Sequence, residues 1–521
     1  MSVILFLAAA LPLVLLLALM TCFHLSTGRA ALLDLLFTAL LAVLVFKGDG
    51  SLLVWEGVKG IWDAMPIVLI IFTAVLLYQI GKEADAFSAL RAGLESLLPN
   101  ELLLVLALGW CFTSFLQGIS GFGVPVAVVA PLLAGVGVKP VYAVILALLG
   151  QSWGNTFGTL GAAWDALASA SGGLDYYRTA FWSAFFLFLW VIAIGLISCF
   201  FYGRGRAVRK GLLACIVLSA VQGGGELVLS QFSTTLCNFV PAALSLAAVI
   251  VLGRLPCYKD SWRIEDSPMM DRGTVKEEAR TELGMLDALL PYLLLTLLTL
   301  LLLAVKPLSA FFAKVSFGPS IPPTSTRLGV INAGYSSYSV FRPFTHASFL
   351  LLLSSLAGWA YYRSKGLLKD VRPVLRSTVK LSLPSAIAVV LLMMMSKLMS
   401  GAGMTHMLSA GIASGLGRAY TLLVPFIGLL GTFSTGSNLS SNILFGSFHS
   451  TTAGMLGLDV PVVLGAQTAG GAIGSMISPS KILLGTSTAG LSGQEGSILS
   501  RLLKLALPAV LLIGLVLLLI A

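Results

Sequence analysis

The run Thr432-Phe-Ser-Thr-Gly-Ser-Asn-Leu-Ser-Ser-Asn442 decides how this chain folds. It is small, polar and contiguous, yet apolar stretches flank it on both sides. Small residues that only let membrane helices pack recur at i, i+4 spacing. This run does not, and it carries Asn438 and Asn442. Backbone that breaks at membrane depth survives only where protein or a water-lined cavity satisfies its polar groups. Three other stretches share the character: Gln117-Gly-Ile-Ser-Gly-Phe-Gly-Val-Pro125, Gly150-Gln-Ser-Trp-Gly-Asn-Thr-Phe-Gly-Thr-Leu-Gly161, and Gln467-Thr-Ala-Gly-Gly-Ala-Ile-Gly-Ser-Met-Ile-Ser-Pro479. Packing explains any single glycine among them, but the four stretches together point to a binding role.

The surrounding chain is built for lipid. Of 521 residues, 57% are apolar and only 10% charged, against roughly 25% charged in soluble domains. That excludes a soluble enzyme, a nucleic-acid binder and a disordered tail protein. The net charge of +10 is no nucleic-acid footprint, because the basic residues sit in short connections. A span needs about 20 apolar residues. The apolar stretches predict an all-α polytopic membrane protein of about 12–14 transmembrane helices, its first span retained and not cleaved as a signal peptide.

The chain also reads as duplicated. Pro66 and Pro384 each sit near the start of an apolar helix, and Phe115-Leu-Gln-Gly118 and Phe433-Ser-Thr-Gly436 follow them at the same offset. Gln151–Thr159 and Gln467–Ser475 match nearby, with a two-residue indel. The expected organisation is N-terminal helices over 1–63, a first repeat over 64–202, connecting helices over 203–381 with a cytoplasmic loop at 254–284, and a second repeat over 382–521. Each repeat is expected to hold a re-entrant hairpin (near 117–137 and 434–457) and an unwound helix (near 150–161 and 467–479). Lys and Arg in short loops stay cytoplasmic. Counting them places Arg204–Lys210, 254–284 and Arg363–Lys380 inside, 306–343 outside and the N-terminus inside. The same count gives a parallel pair of repeats, whereas such repeats are usually inverted.

Opened helix ends present backbone N–H groups and the positive end of a dipole, which hold a carboxylate. Hydroxyls and amides of Ser, Thr, Asn and Gln would complete such a site. Ionisable groups inside a membrane are rare and functional by default, and by position Asp165, Glu226, Lys397, His449 and Lys481 qualify. Lys481, just past an unwound stretch, pairs with an organic anion or snorkels to the interface. Asp165, Glu226 and His449 are the candidates for the coupling ion. Six scattered Cys and four His offer no metal-ligand spacing, so neither metal nor cofactor is expected. The ATP- and nucleophile-binding signatures are missing too. An ion-gradient-driven carrier leads, with proton and sodium coupling both open. A membrane enzyme lacks clustered acids and bases, and a channel does not call for broken, duplicated helices.

Several of these runs resemble the bacterial L-lactate permease family: Gly121–Leu133, Gly150–Gly161, Ser437-Asn-Leu-Ser-Ser-Asn-Ile-Leu-Phe-Gly446, Ala466–Pro479 and Gly490-Leu-Ser-Gly-Gln-Glu-Gly496. The resemblance is collinear over most of the chain. It departs at Gly154-Asn-Thr156, where the family has more apolar residues, and 203–381 gives no match. It implies a multi-pass protein of the bacterial inner membrane that is not an enzyme. It also implies proton symport of 2-hydroxymonocarboxylates, chiefly lactate and glycolate, by an elevator-type movement of paired inverted repeats. Sodium-coupled transport of another organic anion, and a homodimeric assembly, stay open. The substrate-binding residues it implies are Ser120, Gly121 and Gly123 in the first hairpin and Ser152, Asn155 and Thr156 in the first unwound helix. In the second half they are Thr435, Asn438, Ser441 and Asn442, then Gln467, Thr468, Ser475 and Ser478, with Lys481 beside them.

Overall fold

A computed structural model describes residues 3–121, 123–273, 283–491 and 493–521. Phe122 of the expected first hairpin, 274–282 of the expected cytoplasmic loop, and Ser492 lie outside the described residues. The fold is all-α, with one two-stranded ribbon between Thr324–Ser325 and Ile331–Asn332 among the described residues. Ten helices among the described residues are long and apolar enough to cross a membrane. One of them, Tyr176–Leu229, is far longer than the ~20 residues a crossing needs. It bends at Gly203 and Arg204, whose dihedrals leave the helical region, so it crosses twice.

The same succession of elements occurs in both halves. A long helix (Gly50–Glu83; Arg372–Gly401) is followed by a short one (Ala86–Leu97; Met404–Leu416). A pair that turns back on itself comes next: Glu101–Ile119 with Val124–Gly135, and Tyr420–Thr435 with Asn438–Leu456. Then come a broken helix (Pro140–Ser152 and Gly158–Ala170; Val460–Gly474 and Pro479–Thr488) and a long closing helix (the first limb of Tyr176–Ser219; Glu495–Ile520). Local chemistry sets these starts. Asp49 and Asn100 cap helix N-termini by accepting from Leu52 N (2.9 Å) and Leu103 N (3.2 Å). Pro140 and Pro479 occupy first-turn positions where their missing N–H is harmless. The divisions expected at 63/64 and 381/382 fall inside the two long helices, so both successions begin earlier than the apolar runs suggested.

The two long helices pack antiparallel. Gly60 lies against the Met394 backbone and Gly401 against the Glu56 side chain, so one chain number rises as the other falls. The parallel arrangement from counting loop charges therefore does not hold. Its error lies in Glu101–Ile119, which is as apolar as a span but wholly buried in protein. The two ends of its pair meet one loop. Glu101 N donates to Trp262 O (3.1 Å) at one end, and Lys139 N donates to Met269 O (2.8 Å) at the other, both in the 254–284 loop. Removing that crossing also reverses the expected N-terminus. The Lys47 carbonyl accepts from Arg327 N, and the Gly401 carbonyl accepts from Asn332 Nδ2. Both ends thus sit under the loop opposite the basic connections. On the positive-inside rule that loop is expected outside, the short 22–26 connection in the cytoplasm, and Val3 outside.

Each turn-back pair meets its broken helix through glycine. A Cβ at Gly150 would lie 2.1 Å from Gly109 O, and one at Gly428 would lie 2.1 Å from Gln467 O. Both neighbours are backbone, so neither can yield. Gly150→Ala and Gly428→Ala are each expected to lose about 3 kcal/mol of stability by overpacking, checked as a lowered thermal midpoint of the purified protein. An unchanged midpoint in both would mean that these contacts do not hold the bundle.

Candidate functional site

The two broken helices cross at the centre of the molecule. In the first, helix gives way to a single 3-10 turn, Trp153–Asn155, and then to Thr159, Leu160 and Gly161 with left-handed dihedrals. In the second, a 3-10 turn over Ser475–Ile477 ends at Ser478, which is extended, before Pro479 restarts the helix. The breaks interlock. Asn155 Nδ2 donates to Ser475 Oγ (2.8 Å), and the Thr156 and Thr468 hydroxyls are 3.1 Å apart. Asn438, from the second turn-back pair, donates to Thr156 Oγ1 and Thr468 O, both at 3.2 Å. Asn442 Nδ2 donates to Thr468 Oγ1 (3.0 Å) and to Ala163 O (2.8 Å).

Both tips converge on this crossing. Gly121 N donates to Thr159 Oγ1 (2.8 Å). Gly436 is left-handed (φ 76°), where glycine carries no Cβ penalty. Between the tips and the breaks lies a small cavity of about 30 Å³, lined among others by Gln117, Gly121, Asn155, Thr159, Asn438 and Lys481. That is room for about one or two waters, so a bound organic anion requires the tips to part.

Lys481 is the chemical centre of this cavity. Its side chain is buried, and Nζ lies 3.1 Å from Asn155 Oδ1 and 3.4 Å from Gln151 Oε1. Among the described residues no carboxylate pairs with it. Burying an ammonium without a counter-charge costs several kcal/mol. Other shielded cations do have acids at 2.7 Å: Lys59 has Glu56, Arg91 has Glu95, and the partly buried Lys397 has Asp63. The arrangement can therefore neutralise and orient one carboxylate.

The other expected residues divide. Ser120 is buried with its hydroxyl unpartnered beside the first tip. Asn155, Thr156, Asn438, Asn442, Thr468 and Ser475 form the interlocked network, and Gln467 Oε1 is buried beside it without a partner. Ser478 pairs with Ser480 (3.1 Å) under the second tip. Gly123 is a left-handed turn residue facing Leu484. Ser152 is spent elsewhere: it donates to Leu149 O and accepts from Trp190 Nε1, both at 2.7 Å. Ser441 ties its helix to Gly428 O (2.8 Å), and Thr435 closes its own turn onto Gly431 O (2.7 Å). None of the coupling-ion candidates lines the cavity. His449 is hydrogen-bonded to the Tyr420 hydroxyl and packed on Phe448. Glu226 is fully buried among the connecting helices with both oxygens unpartnered, and Asp165 is half-buried.

Sequence reasoning missed Gln117, Gln151 and Thr159, although all three stand inside the quoted runs. It also missed Glu56, Lys59 and Asp63. Their i, i+3, i+7 spacing on an apolar helix puts them on one face, a signal that was there to find. Asn438→Ala removes three donated bonds from the crossing. It is expected to weaken substrate affinity about tenfold, checked by the KM for uptake.

The family model for L-lactate permease matches residues 5–521. The L-lactate permease of Halalkalibacterium halodurans is 28% identical over 95% of this chain and 93% of its own. The glycolate permease GlcA of Escherichia coli is 26% identical over 98% of this chain and 95% of its own. Among solved structures, the YdaH transporter of Alcanivorax borkumensis covers 86% of this chain and 84% of its own at 13% identity, with a TM-score of 0.43. The protein is a multi-pass integral protein of the bacterial plasma membrane. With the match running almost from end to end, the chain belongs to the L-lactate permease family.

Proposed function

We propose that the protein carries small 2-hydroxymonocarboxylates, L-lactate and glycolate foremost, across the membrane by proton symport. One observation carries the reading: a buried lysine without an acid among the described residues, placed where two broken helices and two turn-back tips meet. The substrate carboxylate is the missing counter-charge, and Asn155, Gln117 and Thr159 line the same cavity to take its hydroxyl. The antiparallel long helices support reading the two successions as inverted repeats, and the one-sided anchoring of Glu101–Gly135 supports a re-entrant hairpin. On this reading the hairpins and broken helices move as one bundle past the long helices, an elevator-type alternation.

Sodium coupling is a second reading with its own support. Asn438 Oδ1, Asn442 Oδ1 and Gln467 Oε1 are buried oxygens without donors, close to the breaks. Hard cations take oxygen ligands of this kind. Uptake of radiolabelled L-lactate into proteoliposomes decides between them. Accumulation driven by external acid, and unchanged by sodium, supports symport with protons. Accumulation that requires a sodium gradient replaces the proton. No uptake under either gradient, by protein shown to be folded, removes lactate.

A further inference from the structure

A second cavity, of about 640 Å³, reaches the second tip from another direction. It is lined by the start of the Thr27–Leu44 helix, including Arg29, by Leu383–Leu391 of the Arg372–Gly401 helix, and by Thr435, Ser437, Ser440 and Ser480. Ser437 lines both cavities, and Ser480 precedes Lys481. The wall between the large cavity and the small one is therefore the Thr435–Ser437 turn with Ser480 beneath it. A Cβ on Gly436 would lie 2.5 Å from Ser480 Oγ, so the turn sits directly on that residue.

That wall is lightly tied. Thr435 Oγ1 bonds within its own turn, to Gly431 O and Ser437 O, and Ser437 Oγ accepts from Ser440 N (3.4 Å). Across the cavity the turn has only a long bond among the described residues, Thr27 Oγ1 to Thr435 O at 3.4 Å. Arg29 is an exposed guanidinium with no carboxylate partner among the described residues. The connection before it is expected in the cytoplasm by the helix trace above.

Building on the proposed carboxylate transport, we propose that this cavity is a cytoplasmic antechamber. A small organic carboxylate pauses there on Arg29 and the hydroxyls of Ser26 and Thr27, and the Thr435–Ser437 turn is the wall it passes to leave or reach Lys481. Charge selects the occupant. The cavity's walls are largely aliphatic, its cation is single, and it adjoins a site that holds one anion. A monocarboxylate matches that count, and a planar carboxylate suits the guanidinium fork.

The test needs no transport. In a Cys22→Ser, Cys257→Ser background, which removes the exposed thiols, Leu383→Cys places a reporter in the cavity wall. A membrane-impermeant cationic thiol reagent is applied to right-side-out and inverted membrane vesicles, with and without L-lactate. The expected result is labelling in inverted vesicles alone, slowed about tenfold by L-lactate. Protection is expected to disappear with Arg29→Gln and to persist with Lys481→Met, which empties the central site of its cation. Labelling from the outer face would overturn the proposal. So would protection that survives Arg29→Gln, or protection lost with Lys481→Met, since either would report some other site. Labelling slowed by anionic phospholipid and not by lactate would give Arg29 to a lipid headgroup and also overturn it. Failure of lactate uptake in proteoliposomes bears on the proposed function alone, because protection by lactate in the Lys481→Met background reads Arg29 independently.

Discussion

Lys481→Met is expected to abolish lactate transport while leaving the empty protein as stable as before, or more so. The two effects share one cause. In the folded protein Lys481 is buried with neutral amide oxygens at 3.1 and 3.4 Å and, among the described residues, no acid. A methionine of similar length removes a desolvated charge, and replacing uncompensated buried charge by an apolar side chain is often neutral or stabilising by ~1–4 kcal/mol. The carboxylate of the substrate then meets an apolar wall. A charge-assisted hydrogen bond is worth about 1.5–3 kcal/mol, and the stranded anion adds its own desolvation. The expected loss in kcat/KM is about 100-fold or greater, read in proteoliposome uptake. The melting midpoint is expected to stay level or rise. Lys481→Arg is not expected to restore transport, because a forked guanidinium does not replace the compact ammonium that Asn155 Oδ1 and Gln151 Oε1 hold at 3.1 and 3.4 Å. A structural lysine would give the opposite pattern, with the midpoint falling and transport lost only in proportion to folded protein.

The second large effect lies between the long helices. Asp63 accepts from Lys397 Nζ (2.7 Å) and from the Tyr338 hydroxyl (2.7 Å). Lys397 also donates to Ser169 O (2.7 Å), in the last turn of the helix that begins at the first break. One ammonium thus binds an opposite long helix and the negative end of a broken helix. Its pair is almost wholly shielded, with side-chain exposures of 13% and 2%. Breaking a buried pair strands the survivor and costs ~3–5 kcal/mol, whereas removing both charges with apolar replacements is often close to neutral. Asp63→Leu and Lys397→Met are each expected to lower the thermal midpoint steeply. The double variant is expected to recover most of the loss in stability, yet to transport poorly, since the Ser169 contact stays broken. Additive losses would show that the two residues do not act as a pair.

Much of this was legible before the structure. Contiguous polar runs in apolar surroundings located both breaks, because a lipid-facing helix does not tolerate them. The resemblance placed Asn155, Thr156, Asn438 and Thr468, and they do form one network. Topology was less legible, and the reason is physical. Glu101–Ile119 is apolar because protein surrounds it, and hydropathy does not separate that from a lipid surround. Counting it as a crossing gives a parallel pair of halves, at odds with the antiparallel packing of the two long helices. Ser152 and Ser441 were plausible ligands by type, but partners distant in sequence, Trp190 and Gly428, take up their hydroxyls. His449 owes its place to the Tyr420 hydroxyl, 29 residues away in the chain, and to Phe445 and Phe448 of its own helix.

The central claim is that Lys481 waits for a carboxylate, and direct binding tests it without gradients. Isothermal titration of the purified protein compares L-lactate with lactamide, which keeps the hydroxyl and loses the charge. The account predicts that wild-type protein binds L-lactate about 100-fold more tightly than lactamide, and that Lys481→Met removes the difference. Equal binding of the two by wild-type protein, or an unchanged preference for lactate in Lys481→Met, would contradict it.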